Sequence, residues 1–450
     1  MYRPTRYRPS PDARDDHIQV LVLGDIGRSP RMQYHAISVT KHGGRVDLVG
    51  YHESPLHPRL DGHPTVNVFP LPPLPALLQS KSLPFFVLAP LKVLWQMLSI
   101  FYVLAYTTPP ARWIIIQNPP SIPTLHLALL ISILRGSHLL IDWHNYGWSI
   151  LATTRGRADR FVHAYLEYES FFGRITPTAN LTVTDAMARQ LRRPPYNFTR
   201  PILTLHDRPA DTFQPIRDPA RRASVLARIP ETRDAAASIV RGDVRLVVSS
   251  TSWTPDEDFG LLFDALVSYA AAMTMSSEEE EEGETQRRTT TTPNPLLAVI
   301  TGKGPQKAMY EARIARWTAE GRLPGVQVRT AWLATEDYAA LLACADLGIC
   351  LHRSSSGVDL PMKVVDMFGA GLPVAAYAEY ESFGELVREG VNGCGFATAA
   401  ELAEVLARLL CEEGRDELAG LREGAVEEGS LRWDAEWDRV VGRVVGLVDP

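Results

Sequence analysis

Cysteine is scarce in this chain and never paired. The four present, Cys344, Cys350, Cys394 and Cys411, form no CxxC motif and match no zinc spacing. A disulfide scaffold and a cysteine-bound metal are thereby excluded. Buried free thiols in a reducing compartment are expected instead. No apolar h-region follows the Pro/Arg-rich opening MYRPTRYRPSPDARDDH, so no signal peptide is read and the bulk of the chain is expected to face the cytosol. The dinucleotide fingerprint is also missing. The first glycine loop reads Gly24-Asp-Ile-Gly27, and the next apolar run ends Val49-Gly50-Tyr51-His52 with no acid, which speaks against a dehydrogenase.

What is present is a long, globular composition with an uneven charge. The chain has 450 residues, 45% apolar and 22% charged. That length suggests two or three domains and excludes wholesale disorder. The net charge of −6 hides 26 Lys/Arg against 15 Asp/Glu in residues 1–230, and 20 against 37 in residues 231–450. A basic half joined to an acidic half argues against a nucleic-acid partner, which needs one continuous basic surface. It allows a basic half that meets an anionic surface or ligand.

Apolar runs alternate with helical patterns along the whole chain. Ile18–Gly24, Val46–Gly50, Val66–Phe69, Trp113–Gln117, Leu139–Asp142 and Leu181–Thr184 read as buried strands. After a proline-studded stretch, Arg245–Ser249, Leu297–Thr301, Val326–Arg329, Leu347–Cys350 and Pro373–Ala376 form a second series. Alternating strands and helices predict parallel doubly wound sheets, hence an α/β fold of two tandem Rossmann-like domains. The expected boundaries are a disordered leader 1–16, a first domain 17–205, a linker 206–240 and a second domain 241–430. A C-terminal helix at 431–450 is expected to cross back to the first domain. A low-complexity acidic insert, 276–295, carries Glu278–Glu282 and Thr289–Thr292 and is expected to be disordered.

The stretch 83–106 is long enough to span a bilayer, but Pro84, Pro90 and Lys92 interrupt it, and it lies inside a strand–helix series. A partly exposed helix dipping into a membrane surface is expected, with Trp95, Phe101, Tyr102 and Tyr106 suited to the lipid–water boundary. A buried core helix and a true span are the alternatives. The second apolar stretch, Ile122–Leu134, is too short to span.

Ligands bind at the C-terminal edges of parallel strands, and the polar residues collect there. Asp142-Trp143-His144 follows a strand; His144 can act as a base near neutral pH, and Asp142 can orient it or be the base itself. A structural histidine is the competing reading. Gly27, Arg28 and Arg31 form a glycine loop with charge for a phosphate. Ser252 and Trp253 lie in a Ser/Thr loop, and Gly302-Lys303-Gly304 offers free N–H donors beside one cation. The densest segment runs from His352 to Val374. It holds Arg353, Ser355, Gly357, Asp359 and Leu360, then a helix from about Pro361 to Phe368 with Lys363 and Asp366. A helix N-terminus favours a phosphate. Asp366 could accept both hydroxyls of a ribose.

At Ser354–Val374 the chain resembles the nucleotide-sugar motif of GT-B glycosyltransferases, in which the two domains face across a cleft. The resemblance is closer to the chitobiosyldiphosphodolichol β-mannosyltransferases, glycosyltransferase family 33. It extends over Leu23–Met32, Gln117–Pro123, Ile141–Gly147 and Ser249–Phe259. The resemblance implies transfer of mannose from GDP-mannose to GlcNAc₂-diphosphodolichol, a β1,4 bond made with inversion, on the cytosolic face of the endoplasmic reticulum membrane. It implies no bound metal, one catalytic base (His144, with Asp142 as orienter or competitor), and other early dolichol-pathway mannosyltransferases as partners. Asp366 would hold the ribose, Lys303 with Lys363 and Arg353 the diphosphate, and Gly27 and Arg28 would line the cleft. Two departures stand out. No membrane helix precedes Ile18, so attachment is expected to rest on 83–106 and the basic half, or on a leader missing from the gene model. The loop Trp253–Asp258 carries no cation, which leaves Lys303 as the main diphosphate contact. Another nucleotide-sugar transferase with a lipid acceptor, and a non-catalytic scaffold that binds sugar nucleotides, are the competing functions.

Overall fold

A computed structural model describes residues 4–9, 17–79, 85–175, 178–254, 257–281 and 293–449. The chain divides into two units, residues 1–207 with 433–450, and residues 208–432.

In the first unit the β-branched runs form a parallel sheet of β1 (His17–Asp25), β2 (Arg45–Tyr51), β3 (Val66–Pro70), β4 (Trp113–Asn118), β5 (His138–Trp143), β6 (Ala179–Thr182) and β7 (Ile202–Thr204). The strand order is β3-β2-β1-β4-β5-β6-β7. The reversal between β1 and β4 opens a switch point, where a doubly wound sheet binds ligands. Between the strands lie α1 (Pro30–Lys41), α2 (Ala76–Gln79), α3 (Phe85–Tyr102), α4 (Thr124–Arg135), α5 (Gly147–Arg155), α6 (Arg160–Ile175) and α7 (Asp185–Arg192). Alternation along the strands divides the core. Val20, Trp113, Ile115 and Leu140 point to the face of α1, where they pack with Met32, Ala36 and Val39.

The second unit holds α8 (Pro219–Arg228), α9 (Ala236–Arg241), β8 (Arg245–Ser250), α10 (Phe259–Glu281), β9 (Leu296–Thr301), α11 (Lys307–Ala319), β10 (Val326–Ala331), α12 (Thr335–Cys344) and β11 (Leu347–Cys350). It continues through α13 (Met362–Gly369), β12 (Val374–Tyr377), α14 (Phe383–Leu386), β13 (Gly393–Phe396), α15 (Ala399–Leu410) and α16 (Arg415–Ser430). Its sheet is parallel, in the order β10-β9-β8-β11-β12-β13. All four cysteines are buried and free. Burial pushes the Cys344 and Cys350 thiols up to about 11.

The chain then returns to the first unit. α17 (Trp433–Trp437), a π turn (Asp438–Gly442) and α18 (Arg443–Val445) put Trp433, Trp437, Val441 and Val445 into the core beside α1.

Three segments differ from their sequence reading. Residues 206–240, read as a linker, carry α8 and α9, whose Val225, Leu226, Ile229 and Ile239 belong to the second unit's core. In the leader, the Tyr7 backbone N–H donates to the Arg135 carbonyl at 2.7 Å, so residues 4–9 lie at the end of α4. Of the insert 276–295, residues 276–281 continue α10, and 282–292 lie outside the described residues.

Candidate active site

Asp142 is the penultimate residue of β5, and its side chain is fully buried. Three partners converge on it. Arg31 of α1 grips both carboxylate oxygens, Nε at 2.8 Å from Oδ2 and Nη2 at 3.0 Å from Oδ1, and reaches Asp207 with Nη1 at 2.8 Å. His35, one turn further along α1, places Nε2 3.0 Å from Oδ2. His144 places its own Nε2 3.0 Å from the same oxygen. The Trp437 indole N–H donates to His35 Nδ1 at 2.9 Å, which fixes the proton of His35 on Nε2, facing Asp142. Burial would push the Asp142 carboxyl up, but Arg31 and His144 outweigh it and hold the group well below the usual carboxylate range. Burial pushes His35 down, so it is neutral at neutral pH.

His144 is the one member of this cluster that opens outward, with 23% of its side chain exposed. Its backbone N–H donates to the Asn118 carbonyl at 2.8 Å, which anchors it across β4 and β5. Because Nε2–H faces an ionised carboxylate, the lone pair of the neutral ring sits on Nδ1. The same carboxylate stabilises the imidazolium that forms when Nδ1 takes a proton.

A second buried acid holds the loops on either side. Glu169 of α6 accepts from Asn118 Nδ2 at 2.9 Å, from the Ser121 hydroxyl at 2.6 Å and from the Gly147 N–H at 3.0 Å. It thereby ties the loop after β4 to the loop after β5. Burial pushes its carboxyl up despite these bonds.

In the first glycine loop, Asp25 Oδ1 accepts from the N–H groups of Gly27, Glu53 and Ser54 at 3.1–3.2 Å. A Cβ on Gly27 would lie 2.5 Å from the Ser54 carbonyl oxygen, so glycine is required for the two loops to touch. Arg28 stays largely open, its Nε 3.2 Å from the Ser54 hydroxyl.

The second unit assembles its polar residues at the ends of β8, β9 and β11. Glu257, almost fully buried, accepts from the Thr251 hydroxyl and from the Ser252 N–H, and its other oxygen pairs with Lys363. Arg353 pairs with Asp258 at 3.0 Å, and its guanidinium lies over the Tyr377 ring. Lys303 Nζ lies 4.2 Å from the centroid of Trp332, an exposed indole. Gly302 has φ of +140°, and a Cβ on Gly304 would stand 1.8 Å from the Ser252 carbonyl oxygen. The glycines thus let the β9 loop press against the β8 loop. On α13, Met362, Lys363 and Asp366 form the open face, and the remaining residues are buried.

Several expected residues stand elsewhere than the sequence suggested. Arg31 carries no free charge for a phosphate, because two aspartates occupy it. Trp253 is wholly buried and stacked on Phe259 at 4.5 Å, so its indole fills the core of the second unit rather than a ligand site. Asp359 faces inward. It accepts from His352 Nε2 at 3.1 Å and from the Ser354 and Ser356 hydroxyls, and so shapes the loop that carries Ser355 and Gly357. Leu360 is half-buried against the core. Sequence reasoning passed over His35, Asp207, Glu169, Glu257 and Trp437. Only an acid set among aromatic residues, Glu169 between Tyr168 and the Phe171–Phe172 pair, offered a signal.

A family model described as "Glycosyl transferase-like" matches residues 295–434. The chitobiosyldiphosphodolichol beta-mannosyltransferase of Arthroderma benhamiae is 50% identical over 387 residues, which cover 86% of this chain and 83% of that protein. The UDP-glycosyltransferase TURAN of Arabidopsis thaliana is 38% identical, covering 93% of this chain and 95% of its own. The sucrose-phosphate synthase structure from Thermosynechococcus elongatus superposes with a TM-score of 0.64 at 15% identity, covering 96% of this chain and 98% of that one, which speaks for the fold alone. By its identity to these relatives over most of its length, and by its two parallel α/β units, the chain belongs to the chitobiosyldiphosphodolichol beta-mannosyltransferase family of GT-B glycosyltransferases.

Proposed function

We propose that this enzyme moves mannose from GDP-mannose to GlcNAc₂-diphosphodolichol, forming a β1,4 bond with inversion. The observation that carries the mechanism is the half-open His144, held through Nε2 by a buried, ionised Asp142. His144 Nδ1 takes the proton of the acceptor 4-hydroxyl. The freed oxygen attacks the anomeric carbon of mannose as its bond to the β-phosphate oxygen breaks, and GDP leaves with the electron pair. One in-line displacement of this kind inverts the configuration and needs one base. Asp142 has no open oxygen with which to compete for the proton, so its role is to position and stabilise the imidazolium. Lys303 supplies charge to the leaving diphosphate, supported by Lys363 and Arg353, each of which already shares its charge with one carboxylate, and Asp366 accepts from the ribose.

The test is transfer of radiolabelled mannose from GDP-mannose to a chitobiosyl-diphospho-lipid. His144→Ala is expected to lower turnover by about 10²–10⁴-fold while GDP affinity holds within twofold. Unchanged turnover removes His144 from the chemistry. The reading assigns no step to a metal, so dialysis against EDTA is expected to leave turnover unchanged. The proposal includes a reaction at the cytosolic face of the endoplasmic reticulum, alongside the early mannosyltransferases of the dolichol pathway. The printed name of the Arabidopsis relative favours a second reading, a UDP-sugar donor. A donor screen with GDP-mannose and UDP-sugars side by side separates the two.

A further inference from the structure

Glu169 fixes the height of a helical hairpin as well as two loops. It is the tenth residue of α6, and it bonds both Asn118, the last residue of β4, and the N–H of Gly147, the first residue of α5. One turn earlier on α6, the Tyr165 hydroxyl accepts from the Ser121 N–H at 3.2 Å, and its ring lies where a Cβ on Gly147 would come within 2.5 Å. Residues 165–169 of α6 therefore stand level with the strand ends. α5 leaves from that level and packs along α6, and the short turn 156–159 brings the chain back. Helices joined by so short a turn run antiparallel. All of α5 and the first turns of α6 thus project beyond the strand ends, with a rise of about 12 Å from Gly147 to Arg155.

The tip of this hairpin is open and positive. Arg155, Arg157 and Arg160 are exposed around a single acid, Asp159. That acid is already engaged: Oδ1 accepts from the Phe161 N–H at 2.7 Å at the start of α6, and Oδ2 lies 3.6 Å from Arg155. The guanidinium groups of Arg155 and Arg160 both lie 5.1 Å from the ring centre of Phe161, which is 47% exposed. Solvated charge at a turn needs no phenylalanine. Guanidinium forks fixed beside an open apolar ring suit a phosphate that is itself attached to a hydrocarbon. The acceptor has its parts in the matching order. The 4-hydroxyl that gives its proton to His144 is followed by two pyranose rings, then the diphosphate, then the first isoprene unit. The foot of the hairpin lies three residues after His144, and its height is comparable with the length of those two rings.

We propose that the tip of the α5–α6 hairpin is the acceptor's diphosphate site. Arg155, Arg157 and Arg160 hold the two phosphates, Phe161 packs on the first isoprene unit, and the disaccharide lies along α5 with its free end at His144. This rests on the acceptor proposed above. It gives the enzyme a means of preferring a lipid-linked disaccharide to free chitobiose, because the charge is read at the end remote from the base.

Binding is read by calorimetry on the full chain without donor, using chitobiosyl diphosphate on a short, water-soluble citronellyl chain. The parent is expected to bind it at least tenfold more tightly than the same compound with one phosphate. Arg155→Ala, Arg157→Ala and Arg160→Ala together are expected to weaken binding at least tenfold and to abolish that preference, at an unchanged Tm since all three side chains are exposed. Phe161→Ala is expected to lose at least threefold with the citronellyl compound and nothing with the methyl diphosphate. In transfer assays the triple variant's KM for the acceptor should rise at least tenfold while its KM for GDP-mannose holds within twofold. A triple variant that binds the diphosphate like the parent overturns the proposal, as does a parent with no preference for two phosphates over one. An equal loss for free chitobiose marks a displaced hairpin foot and also overturns it. So does a loss seen only when the acceptor is carried in anionic vesicles, which puts the arginines on lipid headgroups instead. A parent that binds the diphosphate through these arginines yet transfers nothing from GDP-mannose sinks the mannosyl-transfer reading and leaves this one standing.

Discussion

Asp142 shows how much a single buried charge can organise. It gathers Arg31, His35 and His144 from two elements, and none of these contacts is close in sequence except the last. Asp142→Asn leaves Arg31 buried with half its compensation, which costs about 3–5 kcal/mol at pH 7. It also deprives the His144 imidazolium of its counter-charge, so turnover falls with stability. The sign with pH follows from the depressed folded-state pKa. The carboxylate's stabilisation is present above its unfolded value, near 3.8, and is lost as pH falls through the lower folded value. Urea melts of parent and variant at pH 7 and pH 3 are expected to show the gap narrowing at the lower pH. A constant gap contradicts the charged pairing. None of this was legible beforehand except the Asp142–His144 pair, because a two-residue spacing at a strand end is a local signal. Arg31 looked like a free phosphate ligand, since its aspartate partners lie 111 and 176 residues away.

At the scale of elements, most strands were readable because unbroken β-branched runs have few alternatives to a buried parallel sheet. The exceptions have physical causes. β13 is Gly-Cys-Gly-Phe, whose glycines carry no apolar pattern, and β7 spans three residues behind a proline. α8 was hidden by Pro219, which resembled a breaker although it occupies the first helical turn behind the Asp218 cap. Loop glycines were read as room for a ligand, whereas the described contacts make them the meeting points of two loops. Gly304→Ala drives a Cβ into the Ser252 carbonyl and displaces the β8 loop with Glu257 and Lys363. A fall in Tm and at least tenfold weaker GDP binding by calorimetry are expected. Gly420→Ala, on α16 with open space around it, serves as the control and is expected to gain about 0.5–1 kcal/mol.

For the whole molecule, the two-sheet organisation was legible, and so was the return of the C-terminal helix as an expectation. The chemistry of that return was not. Removing residues 433–450 takes Trp433, Trp437, Val441 and Val445 out of the first unit's core and leaves His35 without its donor. The truncated chain is expected to lose the cooperative transition of the first unit in a calorimetric scan while the second unit still melts. Two intact transitions would show that the segment is dispensable.

That return also sets a timetable. The 225 residues of the second unit, Arg208–Arg432, must be made before Trp433 exists. At ribosomal rates of roughly 5–20 residues per second the delay is on the order of ten seconds or more. Throughout it the nascent first unit carries an unfinished face beside α1 and a charge cluster without its last neighbours. Its completion therefore waits on the second unit, and a premature stop after residue 432 damages the oldest part of the chain first.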